Sequence, residues 1–388
     1  MTHTAPPHFA DFDAEGFLRD CWQKKPLLIR NPWAEWSNPI EPDELAGLGC
    51  EPDVESRLIS LERDDLALEH GPLPDNRFDE LGRAPWTLLV QAVDHHVPAV
   101  ADLIEPFRFI PNWRIDDVMV SYATDGGGVG AHFDQYDVFL VQGLGRRRWE
   151  LGQMCDNDTP LLPHDDLRLL AEFVPEQEWV LEPGDILYVP PRLAHRGTAI
   201  GHDCMTYSVG FRAPSVGELI EGWTDEILDT LDDDERYADP DLALQSNPGE
   251  ISAPALGRMQ EAVLKRIADP QAFAQWFGKL ATAPKNPNIE WQPDEPLDPE
   301  EVAGVLGPDS AIIRNPASRF AFIRTGEDAV LLAVDAECTD CTGEAAVFAQ
   351  DLCASPRLHI GQASAPVRAL VSDLYNRGCI AFEAGDQG

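Results

Sequence analysis

A histidine and an aspartate stand two positions apart in the segment GAHFDQYDVFLV, at His132 and Asp134. Side chains of a β-strand alternate between its faces, so both residues lie on one face if the segment is extended. They can then share one metal ion, provided that a third ligand reaches the same point. His195 is the candidate, because it follows the strand-like run ILYV and a Pro-Pro corner. Two histidines and one carboxylate form the facial triad of non-haem iron(II) oxygenases, which leaves positions open for a co-substrate and dioxygen.

The alternative to a metal site is a solvated surface pair, since the pattern H-x-D occurs by chance in any acidic protein. Two observations favour the metal site. His132 follows the glycine-rich run GGGVG, which lets the backbone pass close to a ligand. The remaining histidines, such as His3 and His8 near the N-terminus, have no partner at ligand spacing.

An arginine follows on the next part of the same segment. The runs VFLVQ and RRRWEL, separated by GLG, predict a β-hairpin in which Arg147, Trp149 and Leu151 share one face. Tryptophan and leucine favour the interior, so Arg147 is expected to point inward, where an unpaired guanidinium is costly. An ordinary structural carboxylate is one possible partner. Beside an iron triad, the distal carboxylate of 2-oxoglutarate is the better one, held as a bidentate pair.

Short strand-like runs between Val118 and Arg212, separated by turn signals, predict an antiparallel barrel or sandwich. Residues before this block suggest short helical patterns and Pro-rich turns, for example in 84–104. Helical periodicity returns in 215–231 and 255–281, with an acidic loop between them. Beyond a Pro-rich linker, the last part of the chain suits a small α+β unit of winged-helix type. The expected domains are 1–213, 214–282 and 283–388.

The formal net charge of −39 is extreme, and only five of the 29 basic residues are lysines. Self-repulsion on this scale destabilises a compact state unless counterions screen it, which indicates a salt-rich cytoplasm and a halophilic host. The alternative is an acidic docking surface for a basic partner. Both interpretations exclude a general nucleic-acid binder, which needs a basic face to neutralise phosphates.

If the charge reflects a saline host, transfer from about 1 M to about 0.1 M salt is expected to lower the free energy of unfolding. The screening length then grows from about 3 Å to about 10 Å, so the carboxylates repel one another over longer distances. Chemical denaturation at several potassium chloride concentrations measures this. A stability that does not respond to salt would favour the docking surface.

The chain has no stretch of about 18 apolar residues, and its first residues, MTHTAPPHFADFD, lack the features of a signal peptide. We therefore expect a cytoplasmic protein without a membrane partner, whose eight cysteines are reduced thiols. Cys338 and Cys341 form a lone C-x-x-C, which Cys353 and Cys379 could complete as a zinc site. Zinc modules usually contain two such paired motifs, so this remains the lesser alternative.

Several runs together resemble the bacterial ribosomal oxygenases of the JmjC and cupin superfamily. They are FLRDCWQKKPLLIR, RIDDVMVSY, GGGVGAHFDQYDVFLVQGLGRRRWEL, EPGDILYVPPRLAHRGTA and YSVGFRAPS. The resemblance spans nearly the whole chain and is strongest in the barrel. It implies a mainly β plus α protein, with a double-stranded β-helix (the cupin/JmjC barrel), a helical dimerisation bundle and a C-terminal winged-helix-like α+β domain.

The resemblance also implies an activity and assigns residues to it. The activity is iron(II)- and 2-oxoglutarate-dependent hydroxylation of the β-carbon of an arginine in a large-subunit ribosomal protein. His132, Asp134 and His195 match the iron ligands, and Arg147 and Ser121 match contacts to 2-oxoglutarate. Relatives have a serine where this chain has Ala123, so any hydrogen bond from that position is missing here.

The partners implied are dioxygen, a basic ribosomal protein as substrate, and a second copy of the chain. The homodimer contact is expected at the helices 215–231 and 255–281. Asp125 and Asp137 are candidates for steering a cationic substrate into the mouth of the site. The last part of the chain has more acidic than basic residues, so direct DNA binding is not expected of the winged-helix-like unit.

Two alternatives stay open at this point. One keeps the iron chemistry and changes the target, as in a histidyl or asparaginyl hydroxylase or a lysine demethylase. The other is a metal-binding cupin that acts as a scaffold without turnover. An inward Arg147 beside a complete triad favours catalysis, because a scaffold has no need for a guanidinium there.

Overall fold

The computed structural model describes residues 9–62, 65–81, 84–164, 166–231, 236–307 and 310–383. They form two compact units. The first contains the residues up to Ala213 together with 285–292 and 314–317, and the second contains the remainder. None of the helices in these ranges is both long and apolar enough to cross a membrane. The division into three domains at 213 and 282 is not decided by these units and stays a proposal.

The first unit is built on a nine-stranded sheet. The strands are β1 (Leu27–Ile29), β2 (Ser56–Glu62), β3 (Asp65–His70), β4 (Trp86–Val90), β5 (Ile115–Ala123), β6 (Val138–Met154), β7 (Gln177–Leu181), β8 (Ile186–Val189) and β9 (Leu193–Phe211). Their order in the sheet is β1-β8-β6-β9-β5-β4-β2-β3, and β7 also pairs with β6. The pairings are antiparallel, as the turn-separated runs predict. Its helices are α1 (Ala14–Asp20), α2 (Pro42–Leu48), α3 (Arg77–Glu80) and α4 (Pro98–Ala101), and 3-10 turns lie at 93–95, 102–107 and 112–114.

The hairpin predicted around GLG is wrong, because β6 runs through these residues as one bent strand paired with β9 on both sides of the bend. Gly145 takes a positive φ of 59°, and the register shifts on either side of Leu144. Such bulges bend a strand without reversing it, and their glycine signal is shared with turns. The predicted side-chain alternation nevertheless holds, since Arg147, Trp149 and Leu151 are all buried.

The helical interpretation of residues 84–104 is wrong over its first part, where WTLLV forms β4. This strand pairs with β2 on one side and β5 on the other, and it is buried along most of its length. A continuous apolar run without alternation fits a buried strand and a buried helix equally well, so periodicity could not separate them. Long-range pairing decided the outcome.

Aromatic side chains fill the core behind the sheet and hold α1 against it. Phe17 of α1 packs edge-on against Tyr188 of β8, with ring centroids 4.9 Å apart, and the ring of Phe139 of β6 lies 5.0 Å from that of Tyr188. Phe211 at the end of β9 joins the same cluster. Aromatic pairs at such distances add about 0.5–1.5 kcal/mol each beyond the area that they bury. The strands that carry the site are therefore firmly supported.

The second unit begins with the helices α5 (Val216–Asp229), α6 (Ala253–Ile267) and α7 (Pro270–Thr282). The helical run predicted over 255–281 is broken, because the side chain of Asp269 accepts hydrogen bonds from Gln271 N and Ala272 N and so starts a new helix at Pro270. Proline is suited to the first turn of a helix and unsuited to its interior. Residues 236–250 contain no helix or strand, as expected for the acidic loop, and 232–235 lie outside the described residues.

The rest of the second unit mixes helices and short strands. The predicted hairpin of SRFAFIR and AVLLAVDA is confirmed, with Phe320 paired to Val334. The elements are α8 (Pro299–Val305), β10 (Ala311–Arg314), β11 (Phe320–Arg324), β12 (Ala329–Val334), β13 (Glu337–Thr342), α9 (Glu344–Ala354), β14 (Arg357–His359), α10 (Ala365–Asn376) and β15 (Ile380–Glu383). The strands among them form two three-stranded sheets, β14-β10-β15 and β11-β12-β13.

Candidate active site

His132, Asp134 and His195 come together in the first unit, where one ligand atom from each lies within 4.8 Å of those of the others. Backbone pairing places the two histidines opposite each other. His132 N donates to His195 O at 3.0 Å, and His195 N donates to His132 O at 2.8 Å. Asp134 is held in the same way, since its carbonyl accepts from Arg192 N. Its carboxylate oxygen Oδ2 lies 3.6 Å from His195 Nε2.

Both imidazoles have one nitrogen directed at a backbone carbonyl and the other left for an ion. His132 Nδ1 lies 3.0 Å from Gly130 O, and His195 Nδ1 lies 3.0 Å from Leu193 O. A proton on Nδ1 satisfies these carbonyls and leaves the Nε2 lone pair as the metal ligand. Burial, together with the neighbouring His132, lowers the pKa of His195 to about 4. His195 is therefore neutral at pH 7, the form that binds metal.

Arg147 is the residue of this cavity whose surroundings best suit a bound anion. Its side chain is only 3% exposed, and its Nε and Nη2 atoms have no hydrogen-bond partner among the described residues. The guanidinium carbon lies 5.6 Å from the ring centroid of Trp149, which covers it without neutralising it. Leaving a buried charge unpaired costs about 3–5 kcal/mol. The arrangement fits a dicarboxylate such as 2-oxoglutarate, whose distal end would accept both hydrogen bonds.

One cavity of about 660 Å³ connects the triad with Arg147 and Ser121. Ser121 of β5 is buried, and its hydroxyl lies 3.4 Å from Thr206 O, the carbonyl to which it donates. A cavity of this size is in the ordinary range for small-molecule sites. All five residues predicted as site residues therefore line a single cavity. Their roles as ligands and co-substrate contacts stay predictions that the tests below address.

The cavity has further charged walls that sequence reasoning missed. Asp116, Asp117 and Lys285 line it, as does Tyr136 beside the triad. Strand alternation from Ser121 could have placed Asp117 on the same face of β5. No local signal could have placed Lys285, because it follows α7 in the sequence, far from the barrel strands.

Asp125 and Asp137 do not line the cavity, so the prediction that they flank its mouth is wrong. Asp137 is fully buried elsewhere, where it accepts hydrogen bonds from Tyr188 Oη at 2.6 Å and Gln23 Nε2 at 2.9 Å. Burial raises its pKa, which these partners only partly offset. Asp125 lies in an exposed turn and accepts from Gly201 N. Both are structural carboxylates.

The four-thiolate zinc site is not formed. Within the described part of the chain, the triad is the only group of three or more histidine, cysteine or acidic side chains close enough to share an ion. The eight cysteines are thiols, as expected, and Cys341, Cys353 and Cys379 belong to the apolar core of the second unit.

Two family models match the chain. The JmjC domain matches residues 102–219, and the ROXA-like winged helix matches residues 265–381. The first match contains the whole triad with Arg147 and Ser121. These matches confirm the predicted combination of a JmjC/cupin barrel with a C-terminal winged-helix-like domain.

Relatives of known description match over most of their length. The chain is 40% identical to "Ribosomal protein uL16 3-hydroxylase" of Escherichia coli over 312 residues, which cover 80% of this chain and 82% of that protein. It is 38% identical to "Probable ribosomal oxygenase" of Haemophilus influenzae over 310 residues, with 77% and 76% covered.

A solved structure of the E. coli ribosomal oxygenase YcfD, in complex with cobalt and 2-oxoglutarate, superposes with a TM-score of 0.84 at 35% identity. The superposition covers 97% of this chain and 100% of that one. The resemblance stated from the sequence is thereby confirmed, and the chain belongs to the ribosomal oxygenase family of JmjC proteins.

Proposed function

We propose that this chain is an iron(II)- and 2-oxoglutarate-dependent oxygenase that hydroxylates the β-carbon of an arginine in a large-subunit ribosomal protein. The observation that carries the proposal is the buried Arg147 guanidinium, whose Nε and Nη2 have no hydrogen-bond partner in the described part of the chain. It lies in the same cavity as the His132, Asp134 and His195 side chains. The name of the E. coli relative supports uL16 as the target, and the YcfD complex supports the cofactors.

Some residues of the cavity would bind the iron and 2-oxoglutarate, and others exclude water from them. His132, Asp134 and His195 would hold the iron, and Arg147 and Ser121 would orient 2-oxoglutarate. Together with dioxygen, the iron and 2-oxoglutarate supply the oxidising power that replaces an unactivated C–H bond by C–OH. Val138, Leu140 and Trp149 are buried in the cavity wall. They exclude water, which strengthens the pairing between guanidinium and carboxylate.

The acidity of the chain supports a basic substrate. Asp116 and Asp117 line the cavity beyond the triad, and a carboxylate in a poorly hydrated wall attracts a cationic side chain strongly. At longer range, the net charge of −39 favours encounter with a basic ribosomal protein.

We also propose that the protein is a cytoplasmic homodimer that does not bind DNA directly. Support for the dimer comes from α5 and α6, where large apolar side chains are exposed and exposure of contiguous apolar surface marks association sites. They are Val216, Ile220, Leu228, Leu256, Met259, Val263, Leu264 and Ile267. The second copy would cover them.

Mass spectrometry tests the function directly. Ribosomal proteins from a host strain that lacks this protein would be incubated with the pure protein, iron(II) and 2-oxoglutarate. One added oxygen on an arginine of a large-subunit protein is expected, and the Asp134→Ala variant should give none. An added oxygen on a histidine, asparagine or lysine instead would show that the target residue is not an arginine. Absence of both modification and succinate formation would support the scaffold alternative.

A further inference from the structure

Lys285 places an ammonium group between two carboxylates in the wall of the active-site cavity. Its Nζ lies 2.9 Å from Asp116 Oδ2 and 2.9 Å from Asp117 Oδ1. All three residues belong to the first unit and line the same cavity as the triad. The ammonium group of Lys285 therefore already occupies the position where these acidic side chains would bind a cationic group of a substrate.

The carboxylate of Asp117 is saturated by its neighbours. It is 3% exposed, and its Oδ2 accepts hydrogen bonds from Gln91 Nε2 at 2.7 Å and Ala92 N at 2.8 Å. Its Oδ1 contacts Lys285. A second cation can bind Asp117 strongly only if the ammonium group moves away, because two cations beside this one buried carboxylate repel each other.

Asp116 and Asp117 are also the acidic pair best placed for the charged end of an arginine. Of the other acidic residues in the cavity, Asp134 belongs to the triad, while Glu55 and Asp166 are exposed to solvent. Ser121 and Asp117 both line the cavity from β5, and four residues of a strand span about 13 Å. The guanidinium of an arginine lies several bonds beyond its β-carbon, so it needs a subsite separate from the metal.

We propose that Lys285 is an internal competitor that occupies the Asp116–Asp117 pair and must be exchanged for the guanidinium of the substrate. This inference rests on the proposed function. The exchange makes the site selective, because a guanidinium can form parallel hydrogen bonds to carboxylates while an ammonium offers only a point charge. A substrate lysine carries the same ammonium group as Lys285, so it gains no binding energy by displacing Lys285 from the two carboxylates. Lys285 thus disfavours lysine and sets the affinity for arginine.

The charge state of Lys285 agrees with this role. Burial by itself would lower the pKa of its ammonium group, but Asp117 and Asp116 outweigh that effect and raise it. Lys285 therefore remains cationic at neutral pH. Its side chain keeps 24% exposure, which leaves it a way to move toward solvent.

The test compares ligand binding in wild-type protein and in Lys285→Met, loaded with iron(II) and 2-oxoglutarate without oxygen. The probes are N-acetyl-arginine N-methylamide, the corresponding lysine compound, and the citrulline compound as a neutral isostere. Titration calorimetry or ligand-observed NMR gives each Kd. In Lys285→Met, the Kd of capped arginine is expected to fall about tenfold and that of capped lysine to fall as well, so that discrimination between the two is reduced. Citrulline binding should not change.

Lys285→Arg is the matched control, because it keeps the cation and should bind capped arginine no more tightly than wild type. Lys285→Gln, which keeps polarity without charge, should behave as Lys285→Met does and serves if the methionine variant does not fold. Capped arginine that binds Lys285→Met or Lys285→Gln with unchanged or higher Kd would overturn the proposal. If wild-type protein modifies a ribosomal arginine but these variants bind capped arginine no more tightly than wild type, the proposed function stands. Only the role of Lys285 is then removed.

Discussion

Replacing Asp134 by alanine is expected to abolish iron-dependent succinate formation, to less than about one hundredth of the wild-type rate. Asp134 is the only carboxylate of the triad, and its loss leaves only two imidazoles to hold a divalent ion. Succinate release measures turnover, and calorimetric titration with iron(II) under argon measures metal affinity. Both should fall together.

Asp158→Ala is the matched control for this variant. It removes one carboxylate from an exposed turn and changes the net charge equally, so it should retain wild-type turnover. Near-normal succinate formation by Asp134→Ala would rule out Asp134 as a metal ligand and with it the assigned triad. Loss of turnover with unchanged iron affinity would place the metal elsewhere.

Replacing Arg147 by alanine should raise the 2-oxoglutarate concentration needed for half-maximal turnover about a hundredfold or more. A buried guanidinium that meets its carboxylate in a dry wall contributes several kcal/mol to binding, and each 1.4 kcal/mol corresponds to a factor of ten. Initial rates of succinate release over a range of 2-oxoglutarate concentrations give this value. The adjacent Arg148 is exposed and lies 3.8 Å from Glu178, so Arg148→Ala is the control and should leave the requirement unchanged.

Thermal unfolding separates a binding role of Arg147 from a structural one. Because its Nε and Nη2 atoms have no partner in the described structure, Arg147→Met should be at least as stable as wild type when 2-oxoglutarate is absent. Adding 2-oxoglutarate should then raise the Tm of wild type and not of the variant. A variant that is strongly destabilised without the co-substrate would reassign this arginine to the fold.

Local patterns predicted much of the site. The two-residue spacing of His132 and Asp134 predicted that they lie together, and they do, although His132 forms only an isolated β-bridge and Asp134 lies outside the strands. Alternation in RRRWEL identified Arg147 as the inward arginine although the hairpin around it was wrong. The inference about Arg147 depends only on the period of an extended chain, which a bend at Gly145 does not disturb. Patterns failed where two structures share one signal, as in WTLLV, which forms a strand and not a helix.

The sequence by itself predicted the three residues that the structure brings together, the inward arginine and the family, because alternation along a strand turns Arg147 inward and the joined motifs are specific. Only the tertiary structure decided that Asp137 is buried against Tyr188 and that Lys285 meets Asp116 and Asp117. Those contacts join residues far apart in the chain. Their formation depends on how strands and segments pack, which no local period encodes.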